Sequence, residues 1–256
     1  MKLLRRRPNN PTGGYSVFFH IILTAVLPIL IYVLVELGFE YVALATILLS
    51  KWRMFAVKLR HWPANIRANA VDIFVGFSVI RFMWWIDVQA LDHGQSIKLV
   101  WAGLYTTWLL FIKPRSAPLW VGIQALIAQT LALVATYLAL SNSSETAITL
   151  SVWIITYFSA RHFLSAFDEA MAKASAYTWA FFSASLAWLT SHWLILFYSV
   201  SQPALIITVI AYGMAALYYL DHTDRMRKEL RVQFISIMVF MVLFILVFSN
   251  WSGTIV

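Results

Sequence analysis

The residues able to do chemistry crowd into a few short runs. His162, Asp168 and Glu169 lie within one run from Arg161, and Asp221, His222, Asp224 and Arg225 form another. Carboxylates can hold a divalent ion, imidazole can serve as acid or base, and arginine can grip phosphate oxygens. Gathered on one side of a membrane, His162, Asp168, Asp221 and Asp224 would suit an enzyme for lipid-linked or isoprenoid-linked phosphate. Their spacing argues against a shared site. His162 and Glu169 are seven residues apart, about 10 Å along one helix. Asp221 with Arg225, Asp224 with Lys228 and Glu169 with Lys173 are i,i+4 pairs of the kind that support an exposed helix end. Asp221 and Asp224 also lack the further acidic and glycine residues of membrane phosphotransferases. Separate helix ends are therefore expected, with no metal ligand set and no cofactor.

A second group consists of polar residues inside apolar runs. Each ionised group there costs about 2.5–3.5 kcal/mol on insertion scales, so each is a candidate for function. They are Arg81, His192, Gln124 and Gln129. Arg81 has Trp84, Trp85 and Asp87 nearby, so snorkelling or an ion pair competes with a pathway role. His192 follows Thr190 and Ser191 and could relay protons. Gln124 and Gln129 are expected to hydrogen-bond between helices. Asp72 reads as a first-turn carboxylate stabilised by its helix N-terminus.

A third group is basic. Lys51, Arg53, Lys58, Arg60 and Arg67 alternate with Trp52, Phe55 and Trp62. This pattern suits an interfacial helix on anionic lipid at the cytoplasmic face, each base adding about 1 kcal/mol. Ordinary cytoplasmic-loop charge explains the same residues.

The elements that must position these groups are set by hydropathy. Of 256 residues, 61% are hydrophobic and 12% charged, and the mean hydropathy is +0.76. Soluble domains are about half apolar and about a quarter charged. Nine apolar runs stand out, at 16–35, 39–55, 69–85, 97–112, 118–140, 146–164, 175–198, 203–220 and 232–249. The second and fourth are short against the roughly 18 residues that a crossing needs. The expected fold is all-α: a polytopic integral membrane bundle of about nine transmembrane helices. A basic cytoplasmic segment, 1–15, precedes a single transmembrane domain, 16–256. The first run contains Pro28 and is too long for a signal peptide, so it reads as a retained anchor.

Charge supports that topology. With the N-terminus in the cytoplasm, every Lys and Arg except Arg81 and Lys98 falls at the inner face, while Glu36, Glu40, Asp87, Asp92 and Glu145 fall outside. This is the positive-inside bias, and it accounts for the net charge of +8 without nucleic acid. Ala176, Ala180 and Ala184, with Ser183 and Ala187 beside them, form a small-residue stripe for close helix packing. The absence of Cys removes disulfides and thiolate chemistry.

The function these features favour is non-enzymatic work in the cell membrane: transport, or a subunit of a membrane assembly. A membrane-embedded lipid-phosphate enzyme is the alternative. No P-loop, Gly-x-Ser-x-Gly or His-Glu-x-x-His motif occurs, and no internal repeat supports an inverted-repeat transporter. The expected partners are the bilayer, anionic lipid at its cytoplasmic face, and other membrane proteins or further copies of the chain.

Overall fold

Prolines mark three of the helix starts. Pro63, Pro118 and Pro203 each occupy the first turn of a helix, where the missing N–H would have no partner in any case and φ is already helical. A fourth start is capped by Ser144, whose hydroxyl accepts from the Ala147 N–H at 3.3 Å.

The computed structural model describes residues 13–90, 92–140, 143–191, 196–197 and 200–249. Among these it is all-helical apart from one small hairpin. The helices are α1 (Gly13–Glu36), α2 (Glu40–Ser50), α3 (Trp62–Val88), α4 (Gly94–Thr107), α5 (Pro118–Ala139), α6 (Glu145–Ser165), α7 (Ala172–Ser191), α8 (Gln202–His222) and α9 (Lys228–Phe248). The strands Leu196–Phe197 and Val200–Ser201 pair antiparallel, with Phe197 opposite Val200.

Two cores share α3 and α5. In the first, Ile31, Val35, Ile47, Val75, Val79, Met83 and Tyr105 join α1–α4. In the second, Leu133, Val152, Ala187, Ala204 and Ile207 join α5–α8. The alanine stripe on α7 does what its spacing implies: Ala176, Ala180, Ser183, Ala184 and Ala187 are all buried. The α6–α7 pair makes the most extensive helix contact in the fold. Helix α9 packs on α8 and buries Ile245, while Phe240, Val247 and Phe248 stay exposed.

Four helices, α5, α6, α8 and α9, are long and apolar enough to cross a membrane. So much exposed apolar surface fits lipid as solvent. The other expected spans need correction in detail. Helix α2 has 11 residues, which at about 1.5 Å each reach about 16 Å, against a hydrocarbon core of roughly 30 Å. Helix α3 starts at Trp62, not near 69, and its 27 residues make it about 40 Å long. Helix α7 is described as far as Ser191, and Leu196–Phe197 is a strand, where one continuous run to 198 was expected. Between α2 and α3 there is no interfacial helix, only the 3-10 turns Trp52–Met54 and Leu59–His61.

Candidate functional site

The longer α3 changes the meaning of Asp72. Its carboxylate lies well inside the helix, away from the N-terminus expected to stabilise it, and is buried. Partners come from two other segments instead. Lys51, just past α2, pairs with Oδ2. Lys113 Nζ reaches the same oxygen at 2.5 Å, and Trp108 Nε1 donates to Oδ1 at 3.0 Å. Two cations and an indole thus compensate one carboxylate that burial alone would make costly.

A π turn, Trp108–Ile112, makes this convergence possible. It ends α4 and is closed by the Lys113 N–H onto Trp108 O at 2.9 Å. The wider i→i+5 turn brings residues 108 and 113 to one face, so both reach Asp72. Gln124 on α5 then gathers the carbonyls at the end of this turn. Its Nε2 donates to Ile112 O at 2.7 Å and Arg115 O at 2.8 Å, and its Oε1 lies 3.3 Å from His162 Nε2. Polar contacts therefore run from α2 through α3, α4 and α5 to α6.

A second ionic group sits 15 residues further along α3, about 22 Å at helical rise. Lys98 Nζ, almost fully buried, lies 2.5 Å from Glu36 Oε1 and 2.6 Å from Asp87 Oδ1. Arg81 lies over the Trp84 ring at 4.0 Å, donates to Leu138 O at 2.7 Å and is 3.6 Å from Glu40 Oε1. The two bases that break the charge bias are thus the two held by acids at this end.

The inner-face acids take up different posts. Asp168 and Asp224 have left-handed backbones, φ 52° and 54°, just beyond α6 and α8. At Asp224 the Arg225 N–H bonds Leu220 O at 2.9 Å, the six-to-one bond of a Schellman helix stop. Gly38 (φ 77°) ends α1 the same way, with the Phe39 N–H on Leu34 O at 2.8 Å. Glu169 accepts from Tyr218 Oη at 2.7 Å and from the Met171 N–H at 3.4 Å, and these bonds hold its carboxyl below the usual glutamate range. Asp168, His222 and Thr223 line a cleft of about 290 Å³ beside the start of α5. His162 is turned to Gln124 instead, and neither Asp221 nor Asp224 lines that cleft. Among the described residues no three His, Asp or Glu side chains group to hold a metal ion.

A different cavity, of about 280 Å³, opens between α5, α6, α7 and α8. Its walls are mostly apolar: Ala125, Leu126, Ala160, Phe163, Leu164, Ala211, Met214 and Ala215. Gln129 and Ser159 supply polar groups within it. Gln129 Oε1 accepts from Trp179 Nε1 at 3.2 Å, and the buried Ser159 Oγ has no partner. Sequence reasoning identified Gln129 but missed the cavity, because its walls come from four separate helices. The visible signal was small residues within apolar runs, Ala125 on α5, Ala160 on α6, and Ala211 and Ala215 on α8.

Of the expected lipid-facing bases, Lys51 turns inward to Asp72. Lys58, Arg60 and Arg67 are exposed, as are Trp52, Phe55 and Leu59. The side chain of Arg53, and all of His192, lie outside the described residues. No family model, no curated protein and no solved structure matches this chain.

Proposed function

We propose that this is a multi-pass protein of the cell membrane that holds a lipid-like molecule between its helices. It does so as a carrier, or as a lipid-dependent subunit of a membrane assembly, without catalysing a reaction. The observation that carries this reading is the apolar cavity between α5, α6, α7 and α8. Its volume falls at the lower edge of the roughly 300–1,000 Å³ of small-molecule sites, enough for part of a chain rather than a whole phospholipid. Catalysis has less behind it, since His162 is turned to Gln124 and Glu169 to Tyr218, and neither Asp221 nor Asp224 lines the cleft beside Asp168.

In this reading all nine helices belong to the membrane domain and the N-terminus is cytoplasmic. Two observations support the orientation. Glu36, Glu40, Arg81, Asp87 and Lys98 interact at one end of α1–α4, and Lys51, Lys113 and Gln124 engage their partners at the other. The short α2 is accommodated because Lys51 finds its counter-charge inside the bundle. Exposed Lys58 and Arg60, beside exposed Trp52 and Leu59, then suit the anionic inner leaflet.

Native mass spectrometry of the chain released from mild detergent tests the reading. The expected result is a retained lipid-sized adduct that is lost in Ala215→Trp and reduced in Ala211→Leu, with both variants still folded. A wild-type chain without adduct, or adduct retained by both folded variants, would overturn it.

A further inference from the structure

Trp179 fixes which way the Gln129 amide points. An indole N–H can only donate, so the atom of Gln129 facing it at 3.2 Å is the carbonyl oxygen. The amide nitrogen, with two N–H groups, is left without a protein acceptor among the described residues. Gln129 is 3% exposed and lines the cavity. Ser159, 2% exposed, lines the same cavity and its hydroxyl has no partner. Buried polar groups are almost always hydrogen-bonded, and leaving one unmade costs about 1–3 kcal/mol. One unmade buried hydroxyl, with the Gln129 amide nitrogen on the neighbouring helix, faces this apolar space and is a place for a ligand atom.

The kind of atom follows from the walls. Both groups can donate, so the ligand presents an acceptor oxygen. No charged side chain lines the cavity, and the one phenol there, Tyr218, is committed to Glu169. A phosphate or carboxylate would lose its hydration with no cation to receive it. A neutral carbonyl loses little and finds both donors.

We propose that the lipid held by this cavity is neutral and carries a carbonyl oxygen, an ester or ketone, which Gln129 Nε2 and Ser159 Oγ receive while the chain lies along the alanine-lined walls. This rests on the lipid-holding reading above and adds the chemical class. A site built around hydrogen-bond donors discriminates against an analogue of the same shape that lacks the acceptor, because its donors are then left unpaired.

The test compares methyl oleate with methyl oleyl ether, which lacks only the carbonyl. Each competes against a photoreactive oleyl ester for crosslinking to the full chain in nanodiscs. In the wild type the ester is expected to compete about ten-fold better than the ether. In Ser159→Ala the advantage should shrink, and in Gln129→Leu/Ser159→Ala it should vanish while ether competition is unchanged. That unchanged ether binding also reports that the variants fold. Equal competition in the wild type, or an ester advantage that survives the double variant, overturns the carbonyl assignment and leaves lipid binding standing. If neither compound competes in the wild type, lipid binding at this cavity fails and this proposal fails with it.

Discussion

Replacing Asp72 by alanine removes the one anion between two cations, and its cost can be worked from the geometry. Taking away one member of a buried ion pair costs about 3–5 kcal/mol. The Lys51 side chain is 10% exposed and cannot escape to water, whereas that of Lys113 is 39% exposed and can. The expected loss therefore sits near the lower end, about 3 kcal/mol. Asp72→Asn keeps an oxygen for Trp108 Nε1 and should cost about 1 kcal/mol less. The lysines behave differently, because removing either leaves the carboxylate paired with the other. Lys51→Met should cost about 1–2 kcal/mol, and Lys113→Met about 1 kcal/mol or less. Heating in mild detergent, followed by fluorescence-detected size exclusion, reads these as midpoint shifts. At about 2–4 °C per kcal/mol, Asp72→Ala should fall about 6–12 °C. The order of severity should run Asp72→Ala, Asp72→Asn, Lys51→Met, Lys113→Met. A neutral Asp72→Ala, or a Lys51→Met as damaging as it, would refute the idea that one carboxylate serves both cations.

Five further outcomes are expected. A Cβ at Gly76 would meet Ile47 Cδ1 at 2.8 Å and Tyr105 Oη at 3.0 Å, so Gly76→Ala should cost about 1–3 kcal/mol. Gly213→Ala, opposed by the pliant Met238 Sδ at 2.7 Å, should lower the same midpoint less. Asp224→Gly should be neutral or stabilise by up to about 1 kcal/mol, since glycine adopts the left-handed stop without strain; a clear loss would point to a role for the carboxylate. Because Glu169 has a depressed carboxyl pKa in the fold, its contribution is complete above the unfolded glutamate value of 4.5 and is lost as pH falls through the lower folded value. Thermal scans against pH should therefore show Glu169→Gln losing stability near neutral pH and converging on wild type under acid. Reporter fusions after Arg115 and after Ser144 should report the inner and outer sides respectively, and the same side for both would dismantle the proposed topology.

Hydropathy located all nine α-helices of the described residues because an apolar run is a local property of the chain. It placed the start of α3 wrongly because the first turns, from Trp62 to Asn69, are polar, although Pro63 already marked the true beginning. That error hid Asp72, which looked like a helix-end acid only while the helix was cut short. Its partners Lys51, Trp108 and Lys113 are 21 to 41 positions away, at distances where single-sequence spacing carries no contact information. Arg81 was legible because Trp84 sits one turn along the same helix. Lys98 stood out only as an exception to the charge bias, and its acids explain it. Asp168 and Asp224 looked catalytic by residue type, yet Asp is also tolerated in the left-handed conformation where a helix stops. That use leaves no signature beyond position.

The π turn also fixes a count of residues. Successive positions of an α-helix advance by about 100°, so a ladder with one residue too many shifts the rotational phase of everything beyond it. Lys98 and Tyr105 lie on the near side of that shift, and Lys113 and Arg115 on the far side. Winding the same residues as an ordinary ladder, without the wider turn, would swing Lys113 about 100° from Asp72. The same swing would carry the carbonyls of Ile112 and Arg115 away from Gln124. The ionic group near Glu36 and the one at Asp72 are therefore tied through a single segment, whose present number of residues suits both registers only because one turn is wider than the rest.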